Sequence, residues 1–120
     1  MTSHIVLFNP KAGVSEADIR SFAKTIQDAC RQIEAIQRAH VGRRVEVDPG
    51  YARSFGEKTY RFVAIFEFED STGLRAYLKH PIHKHLGQLF WEMCESTVVV
   101  EAAMADGRSE ELVNFLVDDQ

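Results

Sequence analysis

The sequence predicts an α+β domain in which a four-stranded antiparallel sheet carries its helices on one face. Three observations lead there. The chain has 120 residues, 45% apolar and 27% charged, the size and make-up of one folded domain. Short β-rich runs alternate with stretches of helical periodicity in the order β-α-β-β-α-β. The strands are apolar on both faces, so the sheet has a second layer to find beyond its own helices.

His4 to Asn9 is β-rich and is stopped by Pro10 and Gly13. Ser15 is then placed to cap a helix, with Glu16 and Asp18 in the first turn to complement its dipole. Ile19, Phe22, Ile26, Ala29, Ile33 and Ile36 recur at alternating spacings of three and four, which draws one apolar stripe along a helix of about 24 residues. Val41 to Val47 is the second strand, near an edge because it carries Arg43, Arg44 and Glu46, and Asp48-Pro49-Gly50 ends it. The loop that follows contains Tyr51 and Phe55, as a lid or as a packed loop, and leads to the strongest strand, Thr59 to Glu69.

Asp70 or Ser71 starts a short helix through Leu74, Tyr77 and Leu78. His80-Pro81 breaks it and opens another, because proline suits a first helical turn. Ile82, Leu86, Leu89, Phe90 and Met93 form that helix's apolar face, and Ser96 to Val100 is the fourth strand. Beyond Ala105, Ser109 caps a terminal helix with Leu112, Val113, Phe115 and Leu116 to bury, on its own protomer, on a neighbour or across a pocket mouth. The division expected is a domain over residues 1–104 and a C-terminal extension over 105–120, a short docking helix.

This order is the ferredoxin-like arrangement. A sheet with one face in water alternates apolar and polar residues, and these strands do not. Phe62, Ala64, Phe66 and Phe68 point one way with Val6 and Phe8, whereas Val63 and Ile65 point the other way with Ile5 and Leu7. Each of the latter four forfeits roughly 1.5–3 kcal/mol if left exposed. A chain this short buries only about two-thirds of its unfolded surface. The expected solution is a homodimer whose sheets stack through Ile5, Leu7, Val63 and Ile65, a dimeric α+β barrel with helices outside.

Fourteen basic and eighteen acidic side chains leave a formal charge of −4, the wrong sign for binding nucleic acid through phosphate neutralisation. No apolar run approaches the roughly 20 residues of a membrane span, and the start Met-Thr-Ser-His-Ile lacks a signal-peptide pattern. With Cys30 and Cys94 as the two thiols, the expectation is a cytoplasmic protein with reduced cysteines. The glycines are isolated, so neither a dinucleotide fingerprint nor a phosphate loop is present, and no cofactor is expected. His83 and His85 lie two apart on a helix and diverge, so no metal site is expected either.

Tyr77-Leu78-Lys79-His80-Pro81-Ile82-His83 is the most distinctive stretch. Together with His4-Ile-Val-Leu-Phe, Gly13-Val-Ser-Glu and Phe66-Glu-Phe-Glu-Asp70, it resembles the stress-responsive A/B barrel family, dimeric α+β barrels, from His4 to about Glu101. A polyketide cyclase of that family carries a Tyr-x-x-His-Pro-x-His motif. The resemblance implies that its catalytic tyrosine and histidine correspond to Tyr77 and His83, its first-strand pocket histidine to His4, and an aromatic on its first helix to Phe22. Phe62 stands where the cyclase has a further histidine, and the stretch between His83 and Trp91 is shorter by three residues. A more apolar, differently shaped pocket follows.

From the residues themselves, an imidazole takes a proton from an activated carbon, while a phenol holds the carbonyl oxygen that becomes negative. Tyr77 and His83, on two short helices joined at Pro81, are the candidate pair for enolisation, aldol cyclisation or isomerisation. The bland alternative makes Tyr77 core and gives His83 one hydrogen bond that fixes the helix junction. His80 is expected to cap the second of these helices. His4, Val6, Phe8, Phe22, Phe62, Leu86 and Trp91 are the candidate ligand-lining residues. Three readings stay open: a binder of a small apolar or aromatic molecule, a cofactor-independent cyclase or isomerase, and a purely structural protein.

Overall fold

A computed structural model describes residues 1–47 and 59–117. Its strands are β1 (Thr2–Pro10), β2 (Arg38–Arg43), β3 (Phe62–Phe68) and β4 (Cys94–Ala103); its helices are α1 (Glu16–Gln32), α2 (Ser71–Lys79), α3 (Pro81–Met93) and α4 (Leu112–Val117). The strands form one antiparallel sheet in the order β2-β3-β1-β4. The fold is ferredoxin-like, as expected, with its second helical region broken at Pro81.

The caps behave as their chemistry requires. The Ser15 hydroxyl accepts from the Asp18 N–H at 3.1 Å, and the Asp70 carboxylate from the Gly73 N–H at 3.1 Å. His80 Nδ1 accepts from the Ile82 N–H at 3.1 Å, so the residue before Pro81 caps α3. Val6, Phe8, Ala64, Phe66 and Phe68 of the sheet are buried against Phe22, Ala29, Leu74, Tyr77 and Leu86 of the helices. Phe90 meets Phe8 and Phe22 edge-on, with ring centroids 5.0 and 4.8 Å apart, a favoured aromatic geometry.

Several boundaries differ from the sequence expectation. α1 stops at Gln32 because the Gln37 N–H already donates to the Glu67 carbonyl and draws the chain into the sheet. Ile33 and Ile36 keep facing the core through the turn, so the apolar period outlasts the helix. β2 accordingly runs from Arg38 to Arg43, not from Val41 to Val47, and Val45 and Val47 are exposed beyond it. It does lie at a sheet edge. β3 starts only at Phe62. Before it, the Asn9 side chain takes the place of a ladder partner, donating to the Thr59 carbonyl and accepting from the Arg61 N–H, each at 2.8 Å. β4 is longer than Ser96 to Val100 at both ends, held by β1 along its whole length. The Tyr51–Phe55 loop lies outside the described residues.

The sheet's other face has two rows across its middle that are apolar from β3 to β4. One runs His40, Ile65, Ile5, Val100 and the other Gly42, Val63, Leu7, Val98. Ile5, Leu7, Val63 and Ile65 are half-buried, and Val98 and Val100 exposed. The terminal helix spans six residues, and within the single protomer Val113, Phe115 and Leu116 are exposed. Among the described residues no element of the same protomer covers them.

Candidate functional site

Tyr77 lies in the last turn of α2 and His83 in the first turn of α3, so the Pro81 junction folds them onto each other. Their rings are 4.6 Å apart between centroids and steeply inclined. His4 reaches the same place from β1, with its ring 5.5 Å from Tyr77 and 6.3 Å from His83. All three border a cavity of about 350 Å³ between α2, α3 and the sheet, which Val6, Leu86, Phe90, Val99 and others line in apolar fashion. Tyr77 and Leu86 are each only 1% exposed, whereas Trp91 stands at the rim, 85% exposed.

The electrostatics assign states to the three groups. Burial, reinforced by the Cys30 thiol nearby, holds the Tyr77 phenol well above its ordinary pKa, so it stays a hydrogen-bond donor. Burial pushes the His83 imidazole below its ordinary value, against the opposing pull of the Leu78 carbonyl and Glu101. The same cause lowers His4, with Glu101 opposing it and His83 adding to it. Both rings are therefore neutral near pH 7. His83 Nδ1 lies 3.1 Å from the Leu78 carbonyl oxygen. A carbonyl only accepts, so Nδ1 carries the proton and Nε2 keeps its lone pair. His4 Nδ1 is buried and lies 3.4 Å from a Glu101 carboxylate oxygen, out of line for a hydrogen bond.

The residues singled out from the sequence divide between two cavities. His4, Val6, Tyr77, His83, Leu86 and Trp91 share the one just described. Phe8, Phe22 and Phe62 line another of about 320 Å³, bordered by Ile19, Ile26, Val41 and Met93. Phe90 borders the first cavity and packs on Phe8 and Phe22 of the second. His85 faces a different surface, beside Thr25 and Asp28 of α1. No group of three or more candidate metal ligands exists among the described residues, and no described helix is long and apolar enough to cross a membrane.

Glu101, Thr97 and Val99 were missed. The signal was available, since period-two alternation puts all three on the helix-facing side of β4, but a strand ended at Val100 excludes Glu101, which pairs directly with His4.

The fold recurs in solved structures. A protein of Arabidopsis thaliana is 20% identical with a TM-score of 0.74, covering 91% of this chain and 100% of its own. A dimeric ferredoxin-like protein of unknown function from Thermobifida fusca is 20% identical, with a TM-score of 0.67 over 86% of this chain and 90% of its own. The hydroxynitrile lyase of Passiflora edulis is 16% identical, with a TM-score of 0.72 over 90% of this chain and 96% of its own. No curated protein matches the sequence at a significant level. The model of the Stress responsive A/B Barrel Domain matches residues 2–104, and the chain belongs to that family.

Proposed function

We propose that the chain acts as a homodimer in which each protomer binds a small, largely apolar or aromatic carbonyl compound in the cavity shared by Tyr77, His83 and His4. The observation that carries this reading is the convergence of a phenol and two imidazoles on one apolar cavity, with the Tyr77 and His83 rings 4.6 Å apart. A protonated phenol in an apolar setting is a strong donor to a carbonyl oxygen, and the apolar walls suit the rest of such a ligand. The dimer is supported by the uncovered rows around Ile5, Leu7, Val63 and Ile65 and by the dimeric relative of the same fold. The barrel domain is assigned to residues 1–104, with 105–120 an extension, in keeping with the family match. The two free thiols suit a reducing compartment, and the cytoplasm is the proposed location.

Acetophenone is a suitable probe, and its effect on thermal unfolding the assay. Ligand at a hundredfold excess over Kd stabilises by about 2.7 kcal/mol, a rise of several degrees in Tm. The rise is expected in the wild type and smaller in His83→Ala and Tyr77→Phe. Gly87→Leu gives a third control, because Gly87 lines the cavity and an added Cβ there meets nothing within 4 Å. Equal rises in all four proteins would count against the cavity as the binding site.

A second reading, catalysis, is favoured by the lone pair left on His83 Nε2. In this reading Nε2 takes a proton from the carbon beside the carbonyl while the Tyr77 hydroxyl donates to the carbonyl oxygen that becomes negative. This suits a cyclase or isomerase without a cofactor, and the hydroxynitrile lyase places an enzyme on the same fold. Deuterium exchange into the methyl group of acetophenone tests it. Exchange is faster than with buffer alone and is lost in His83→Ala; background exchange with the wild type would leave binding without turnover. A purely structural role predicts no response in either assay.

A further inference from the structure

Glu101 is used by neither reading above, yet it is the anionic group beside His4. The two residues are opposite each other in the β1–β4 ladder, so their side chains rise from the same face. His4 is 6% exposed, and its Nδ1 has no hydrogen-bond partner. An orphaned ring nitrogen sealed from water is unfavourable by the full loss of its hydration. The Glu101 carboxylate stands 3.4 Å from it, with a half-exposed side chain that has room to turn into line. The other titratable groups facing His4 are His83 from α3 and Tyr77 from α2, and Phe66 of β3 closes the remaining side.

We infer that Glu101 is a positioning residue for His4: its carboxylate accepts a hydrogen bond from Nδ1–H, fixes the ring's tautomer, and so presents Nε2 of His4 to the cavity as a second acceptor beside His83. The two imidazoles then differ in kind. His83 leans on a neutral carbonyl oxygen, that of Leu78, whereas His4 leans on a carboxylate, which stabilises its charged form. His4 is thereby the ring suited to become an imidazolium next to a ligand group that is acidic or develops negative charge. The favoured ligand class narrows to enolisable or acidic carbonyl compounds. This last step rests on the proposed use of the cavity, but the role of Glu101 does not.

The test is therefore made on the ligand-free protein, so that its failure is separable from a failure to bind carbonyl compounds. Long-range proton–nitrogen NMR correlations of the imidazole rings report both tautomer and protonation constant. Neutral His4 in the wild type is expected to carry its proton on Nδ1. Glu101→Gln is expected to lower the His4 protonation constant about tenfold, one pKa unit, with a smaller change at His83. Glu101→Asp, which keeps the charge but withdraws it by one methylene, is expected to fall between. The backbone amide spectrum of each variant verifies that the fold is retained. A His4 protonation constant equal in the wild type and Glu101→Gln, or a neutral His4 with its proton on Nε2, overturns the inference.

Discussion

Replacing Ile65 by lysine puts an ammonium group in the middle of the uncovered sheet face, between His40 on one side and Ile5 on the other. In the protomer alone this is a mild change, because Ile65 is already half-exposed there. In a two-fold dimer built on this face it acts twice. Burying the remaining half of an isoleucine contributes about 1 kcal/mol, taken from roughly 1.5–3 kcal/mol for the whole side chain. The two copies together then lose about 2 kcal/mol. Each ammonium must also be desolvated or snorkel past its neighbours, which adds at least about 1 kcal/mol per copy. The sum, about 4 kcal/mol, weakens association about a thousandfold. Size-exclusion chromatography with light scattering at micromolar concentration reads this directly. The wild type is expected at twice 13.6 kDa and Ile65→Lys at 13.6 kDa, with an unchanged far-ultraviolet circular dichroism spectrum. A wild type that is monomeric, or a variant that stays dimeric, refutes the assignment of this face.

Three further outcomes are expected from the packing and the ionisation. Leu86→Ala, at a site 1% exposed, removes a core side chain and lowers the unfolding free energy by about 2–5 kcal/mol in urea denaturation. His80→Ala deletes the imidazole that accepts the Ile82 N–H, and the same measurement should show a loss of about 1 kcal/mol. The pH dependence has a definite sign: His4 and His83 are both held below 6.5 in the folded protein. As pH falls below that value the unfolded chain takes up protons that the folded chain refuses, so stability present at neutral pH is lost towards and through the folded-state values. The urea midpoint is therefore expected to be lower at about pH 5.5 than at about pH 7.5, and the difference to shrink in His4→Gln/His83→Gln.

The parts of the fold that were legible were those set by local chemistry. Ser15, Asp70 and His80-Pro81 marked helix starts because a cap needs only its own side chain and the next two or three N–H groups. Alternation placed Val6 and Phe8 on one face of β1 and Ile5 and Leu7 on the other, as the ladders have them. What failed depended on partners distant in sequence. The end of α1 is decided by Glu67, which takes the Gln37 N–H, and the late start of β3 by Asn9. The extent of β4 is decided by β1, a strand some ninety residues earlier. The same cause hid part of the site. Tyr77, His83 and His4 were visible as chemistry-bearing residues, but Glu101 became a neighbour of His4 only through the ladder register, and the packing of Phe90 on Phe8 and Phe22, with Phe62 stacked on Phe8, places those three at a second cavity.

Which of the two cavities takes the ligand decides the proposed function, and isotope-edited nuclear Overhauser contacts from acetophenone distinguish them. The two sites have distinct apolar borders, with Leu86, Trp91 and Val99 around Tyr77 and His83, and Ile19, Ile26 and Val41 around Phe8 and Phe22. Binding beside Tyr77 and His83 predicts contacts from the phenyl protons to the side chains of Leu86, Trp91 and Val99. Contacts to Ile19, Ile26 and Val41 instead, or none to any of the six, would contradict it.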